Sequence, residues 1–334
     1  MPSDMQPLVI APDLLPHLAV GAAALVVLVK SAGVVVSRLT AVAQAYDVPD
    51  VLIAMTVIAV GTSLPEIGSH VTASLGILAG SLDPATASAT VMGGNMGSST
   101  VQQALLVGLF LVAYGRFEFT KSFLRGTYVP MVLALGLTFV LAWDGTITRV
   151  DGLLLVGVYL VYLYYSYTRR QRQVDVAGTG SEHVRRDLAV AVVGLVGVLG
   201  SAFVVLQVVE VLVDALRLGG SMIGVFTIGL AAALPELSTV VESVRRETPY
   251  IALGTLFGSN VVNPLIGFGL GGMISTYQVP PPVVLWDLPF KILLGVGLLG
   301  YLHFVSNGAL KRREGGYLIA AYFVFIAVRL VVFV

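Results

Sequence analysis

Long apolar stretches broken by short polar turns run along almost the whole of this chain. Ten of them can cross about 30 Å of hydrocarbon as helices. They lie at about 14–36, 49–79, 86–113, 127–143, 151–167, 188–216, 221–245, 249–276, 283–303 and 315–334. Most lack the hydrophilic face of a helix on a soluble protein, so they read as membrane spans. The one long polar break, Thr168 to Asp187, has Ala177-Gly178-Thr179-Gly180-Ser181 at its centre. It divides the spans into two sets of five. The pattern therefore predicts an all-α integral membrane protein: a first five-helix repeat over 1–167, a linker over 168–187 and a second five-helix repeat over 188–334.

Composition agrees. Only 11% of the residues are charged and 57% are hydrophobic, whereas soluble domains carry roughly 25% charged residues. The net charge is zero, so the placement of charges is more telling than their sum. With the Arg-rich linker on the cytoplasmic side, the inside loops hold Lys30, Arg38, Arg116, Lys121, Arg125, Arg169, Arg170, Arg172, Arg185, Arg186, Arg245, Arg246, Lys311, Arg312 and Arg313. Only Arg149 and Arg217 fall outside, while Lys291 and Arg329 lie within spans. This asymmetry follows the positive-inside rule and puts both termini outside, with the cell membrane the expected location. The first residues hold Asp4 and Asp13 but no Lys or Arg, which is wrong for a signal peptide, so the first span is expected to be a mature helix. The absence of cysteine excludes disulfides, thiolate metal sites and iron–sulfur clusters.

Five helices per half make the second half enter the membrane from the side opposite the first, so halves of shared fold form an inverted repeat. Two pairs of motifs support this. Gly61-Thr62-Ser63-Leu64-Pro65-Glu66 in the second span answers Ala231-Ala232-Ala233-Leu234-Pro235-Glu236 in the seventh, and Gly97-Ser98 in the third answers Gly258-Ser259 in the eighth.

Glu66 and Glu236 carry the candidate chemistry. An ionised carboxylate within a span costs at least about 2.5–3.5 kcal/mol. A charge snorkelling at a helix end fits Glu210, Asp214 and Glu242, the last close to Arg245 and Arg246, but fits Glu66 poorly. Pro65 and Pro235 remove a backbone donor and clash with the carbonyl four residues back. Together with Gly61 or Gly229, they should break each helix just before its glutamate. Such a break exposes carbonyls as cation ligands and starts a half-helix whose positive end favours the acid. A kink serving packing alone is the plainer alternative. Ser98 and Gln102, like Ser259 and Asn263, are four apart and can share a helix face. Gly93, Gly94 and Gly97, with Gly254 and Gly258, would permit close helix approach.

These patterns resemble the calcium:cation antiporter superfamily, closest to its sodium/calcium exchangers. The resemblance covers essentially the whole chain in topology, with its specific motifs on the second, third, seventh and eighth spans. It implies that the two motifs meet at mid-membrane and hold calcium between Glu66, Glu236 and the carbonyls of Thr62 and Ala232. Further oxygens for calcium or sodium would come from Ala59, Ser63, Ser98, Gln102, Gly229, Ser259 and Asn263. The chain departs from the family pattern at Ala232-Ala233, where Thr-Ser is usual, and at Ser99 and Gln102, where asparagines are usual. Glutamate and serine are also 32 residues apart in the first half and 23 in the second. The nine extra residues are expected in the outer loop at Ser81-Leu82-Asp83-Pro84.

Calcium takes six to eight oxygen ligands and favours carboxylates and carbonyls. Empty and ionised, the two glutamates would repel each other in a low dielectric, so an unloaded pocket should resist crossing. The expected function is calcium exchange for a monovalent cation, sodium first, with the first and sixth spans as the moving elements by resemblance. The lost hydroxyls keep proton coupling as the alternative. His70, one turn beyond Glu66, could titrate near neutrality, although a lone helical histidine more often packs. A cation channel or a non-transporting homologue are alternatives of another class. An enzyme is not expected: there is no His-Glu-x-x-His, and His17, His70, His183 and His303 are scattered. The expected partners are inorganic cations and the bilayer, with no cofactor beyond the transported ions and no nucleic acid.

Overall fold

Backbone groups in hydrocarbon have no water to bond, so they must satisfy one another within helices. The structure, a computed structural model, describes residues 15–45, 50–170, 183–215 and 232–333, and these are predominantly helical. The first helix, α1, is Leu15–Ala45. Next, α2 runs through Asp50–Ile53, the π-helical Ala54–Ile58 and Ala59–Thr62, and α3 is Leu64–Leu78. The helix α4 is Pro84–Tyr114, followed by β1 at Phe117–Glu118, α5 at Lys121–Ala142 and β2 at Thr146–Ile147. Then come α6 at Arg149–Arg170, α7 at Val184–Ala215 and α8 at Leu234–Arg245. The chain continues with α9 at Pro249–Ile274, β3 at Tyr277–Gln278, α10 at Val283–Phe304, β4 at Ala309–Leu310 and α11 at Arg312–Val332.

Six of the described helices are long and apolar enough to cross a membrane: α1 over Leu15–Leu39, α4, α5, α9, α10 and α11. Of the other expected spans, 151–167 lies on α6, the described part of the sixth, 188–215, lies on α7, and 50–78 of the second is split between α2 and α3. Residues 221–231 of the seventh lie outside the described ones. The helix over the fourth span starts at Lys121 rather than at 127. A long cationic stem can lie along the first turn of a span while its head stays in water, so Lys121 and Arg125 need not mark a loop.

The short strands join distant loops. β1 pairs antiparallel with β4, Phe117 facing Leu310, and β2 pairs antiparallel with β3, Ile147 facing Tyr277. Helix crossings are set by glycine. A Cβ on Gly108 of α4 would lie 2.8 Å from the Gly315 carbonyl of α11, and one on Gly152 of α6 would lie 2.5 Å from the Gly269 carbonyl of α9. Side chains are thereby excluded, and the backbones meet.

The main core runs through α4, α5, α9, α10 and α11. A second cluster lies between α1 and α7, with Leu28, Ala32, Val36, Ala191 and Val198 packed over Ala54, Ile58 and Ile251. Arg38 of α1 reaches Asp187 of α7 at 2.9 Å.

The nine extra residues between glutamate and serine are not confined to the outer loop. α3 has 15 residues where α8 has 12, the loop is two residues longer, and α4 runs four residues further ahead of its serine. Helical turns take up an insertion without exposing further backbone groups, which a loop of nine residues would do.

Candidate functional site

Pro65 has no N–H to offer the Gly61 carbonyl, and the helix steps out of register just before it. Ser63 adopts φ −85°, ψ 3° and Ala233 φ −83°, ψ 1°, so the two halves share one local geometry. Helix then resumes: the Ile67 N–H reaches the Ser63 carbonyl at 3.0 Å and the Leu237 N–H the Ala233 carbonyl at 2.9 Å. Glu66 and Glu236 thus occupy the first turns of α3 and α8, where the positive end of the helix favours a carboxylate.

Both glutamates are buried, Glu66 at 5% and Glu236 at 0% exposure. Ser98 donates to Glu66 Oε1 at 2.7 Å, and Ser259 donates to Glu236 Oε1 at 3.2 Å. Gln102 donates to the Ser98 hydroxyl at 3.3 Å, as their four-residue spacing predicts. The Glu66 carboxyl group lies near enough to act electrostatically on Glu236, and Gly258, beside Ser259, meets Met55 and Ala59 of α2. The two motifs therefore meet.

Several oxygens here have no hydrogen-bond donor among the described residues: Glu66 Oε2, Glu236 Oε2, Ser63 Oγ and Asn263 Oδ1. Orphaned buried polar atoms are rare and call for a ligand or water. The hydroxyl of Thr62 is turned back on its own helix, donating to the Ile58 carbonyl at 3.1 Å. The Ala59 carbonyl accepts the Ser63 N–H at 3.0 Å and lies 3.3 Å from the same Thr62 hydroxyl. Ala232 is half-buried beside Ala233, and Gly229 lies outside the described residues.

Gly258 is the glycine that the site needs. A Cβ there would lie 2.6 Å from Met55 Cα and 2.8 Å from Ala59 Cβ, so α9 presses directly on α2 beside Ser259. Gly93 is different, with nothing within 4 Å of its ideal Cβ; no close approach depends on it.

Asn260 is not among the residues that the sequence singles out. Its side-chain amide donates to Gln102 Oε1 at 3.1 Å, tying α9 to α4 across the halves. Its place in Gly258-Ser259-Asn260 was the available signal. Also passed over were Asp287, Lys291 and Arg329, three charges buried or nearly so within spans, which is itself a functional signal.

His70 is fully buried in a packing network. Its Nδ1 lies 3.2 Å from the Tyr277 hydroxyl and its Nε2 3.2 Å from the Asn95 amide, with Phe268 edge-on at 5.2 Å. Ser74 donates to the same Tyr277 hydroxyl at 2.8 Å. Glu242 pairs with Arg246 at 2.5 Å and Arg245 at 3.5 Å, the helix-end role expected of it.

A family model described as sodium/calcium exchanger protein matches residues 17–168 and 187–331. The inner membrane protein YrbG of Escherichia coli strain K12 is 26% identical over 286 residues, covering 81% of this chain and 84% of that protein. The sodium/calcium exchanger MaX1 of Methanosarcina acetivorans is 25% identical over 347 residues, covering 91% and 95%. A structure of the sodium-calcium exchanger NCX_Mj soaked with Na+ and Sr2+ aligns with a TM-score of 0.79 at 21% identity, over 94% of this chain and 98% of that one. That last likeness is one of fold.

Proposed function

The chain belongs to the sodium/calcium exchanger protein family, and on that premise we propose that it exchanges calcium for a monovalent cation, sodium first, around Glu66 and Glu236. One observation carries the reading: two buried, adjacent carboxyl groups each have one oxygen held by a serine and the other without a donor among the described residues. Two such groups match the charge of one calcium ion, and oxygens of Ser63, Ser98, Gln102, Ser259 and Asn263, with the carbonyls of Ala59, Thr62, Gly229 and Ala232, would complete its shell.

The proposed frame is ten spans in two inverted five-helix repeats, 1–167 and 188–334. The linker 168–187 would lie in the cytoplasm and both termini outside the cell membrane. Two sets of contacts support the repeat. The loop after the third span pairs with that after the ninth, and the loop after the fourth with that after the eighth. Glycine crossings join the third span to the tenth and the eighth to the fifth. A twofold axis exchanging each span with the one five places on produces both sets. The separate apolar cluster between α1 and α7 supports these two as the pair that slides to alternate access.

Proton coupling is the second reading, favoured by Ala233, which has no hydroxyl where the first half has Ser63. Calcium uptake into proteoliposomes under a sodium gradient alone, then a pH gradient alone, separates the two. No exchange with either, across several divalent ions, refutes the antiporter.

A further inference from the structure

Three charged side chains within the spans take no part in the site described above. Asp287 and Lys291 stand one turn apart on α10, 2% and 0% exposed, and Arg329 of α11 places its Nε 3.2 Å from Asp287 Oδ1. Lys291 donates its ammonium to the Ser99 hydroxyl of α4. Gln103, one turn along α4, donates to the Lys291 carbonyl at 3.0 Å. With all three ionised, the cluster holds one negative and two positive groups and carries one net positive charge.

The fold does not demand this charge. Tyr128-Val129-Pro130-Met131-Val132 at the start of α5 corresponds to Asp287-Leu288-Pro289-Phe290-Lys291 on α10, each following or ending a π-helical turn. The first half thus has Tyr128 and Val132 where the second has Asp287 and Lys291. A net charge in low dielectric is costly unless opposite charge lies near. Ser98, the residue before Ser99, holds Glu66.

We infer that Lys291 is a specificity-determining residue of the exchange site: a positive charge that α10 holds against Ser99 of α4 and that loosens the site's hold on cations, and on divalent ions most. This rests on the reading that Glu66 and Glu236 bind the exchanged ions. The chain of contacts from Glu66 through Ser98 and Ser99 to Lys291 spans on the order of 10 Å, given about 3.8 Å between adjacent Cα atoms. Coulomb repulsion at that range, with an effective dielectric of about 20 and partial offset by Asp287, weakens a monovalent ion roughly three- to tenfold. The energy scales with the ion's charge, so a divalent ion is weakened by the square of that factor, roughly ten- to a hundredfold. Ions that two carboxylates would otherwise trap are thereby released.

The test uses the full-length chain in liposomes, reading half-saturating calcium and sodium concentrations for exchange. Lys291→Met should lower both, with the calcium factor equal to the square of the sodium factor, and Lys291→Arg should keep the original values. Asp287→Asn, which raises the cluster to two net positive charges, should move both constants the other way. The double variant Asp287→Asn with Lys291→Met restores one net positive charge and should return both constants toward the original; it also serves if Lys291→Met alone does not fold. Unchanged constants, or equal factors for the two ions, assign Lys291 to packing and overturn the inference while leaving the antiporter intact. Absence of exchange in the unaltered protein removes both.

Discussion

Replacing Gly258 by alanine puts one methyl group where α9 crosses α2. Its Cβ would stand 2.6 Å from Met55 Cα, 2.8 Å from Ala59 Cβ and 2.9 Å from the Met55 carbonyl oxygen. Carbon atoms in good contact sit about 3.5–4.0 Å apart, so the helices must part by roughly 1 Å. None of these three atoms is the movable end of a side chain. Overpacking of this kind costs about 1–3 kcal/mol, or roughly 2–6 °C of melting temperature in a chain of this size. The same shift acts on the site, because Ser259 is the next residue and its bond to Glu236 is already long at 3.2 Å. A misplacement of about 1 Å can cost on the order of a hundredfold in rate. Gly258→Ala should therefore melt lower in detergent and lose most calcium exchange in proteoliposomes. Gly93→Ala, with nothing within 4 Å of its ideal Cβ, should change neither. A Gly258→Ala protein that melts and exchanges calcium like the original would refute the idea that this close crossing positions Glu236.

Glu66→Gln and Glu236→Gln keep side-chain size while removing charge, and each should reduce divalent exchange to background; activity retained in Glu236→Gln would show that the second half no longer carries the site. Ala233→Ser adds a hydroxyl where the first half has the buried Ser63 and should lower the sodium concentration for half-saturation; an unchanged value would separate that position from sodium binding. Asn260→Ala strips Gln102 Oε1 of its donor and should cost about 1–3 kcal/mol, read as a lower melting temperature, with no loss if the cross-link is idle. Asp83 caps α4 by accepting the Thr86 backbone N–H and hydroxyl, which hold its carboxyl below the ordinary 3.8. Since the folded value is the lower one, the cap stabilises above about pH 4 and is lost as pH falls through the folded value. The protection factor of the Thr86 amide, its exchange rate relative to an unstructured peptide at the same pH, should fall over that range, and Asp83→Asn should abolish that fall.

Much of this was legible because each signal was local. Leu-Pro-Glu announces its own helix step, since proline removes a donor whatever surrounds it, and Ser63 and Ala233 step at matching positions. The four-residue spacing of Ser98 and Gln102 delivered their contact in the same way. What failed was inference from residue type without a partner. Gly93 and Gly258 look alike in sequence, yet only Gly258 faces another backbone. His70, by contrast, packs as a lone helical histidine more often does, its ring nitrogens meeting Tyr277 and Asn95.

The sequence by itself determined that this chain lives in a membrane, that two pairs of motifs recur along it, and that two glutamates break the apolar pattern at matching places. Those properties follow from hydrophobic run length, proline chemistry and motif spacing, which are written along one dimension. Only the tertiary structure decided that Ser98 holds Glu66 and Ser259 holds Glu236, that Asn260 ties α9 to α4, and that Lys291 reaches α4 from α10. Contacts between residues 23 to 192 positions apart depend on how helices cross, which no local pattern along the chain records.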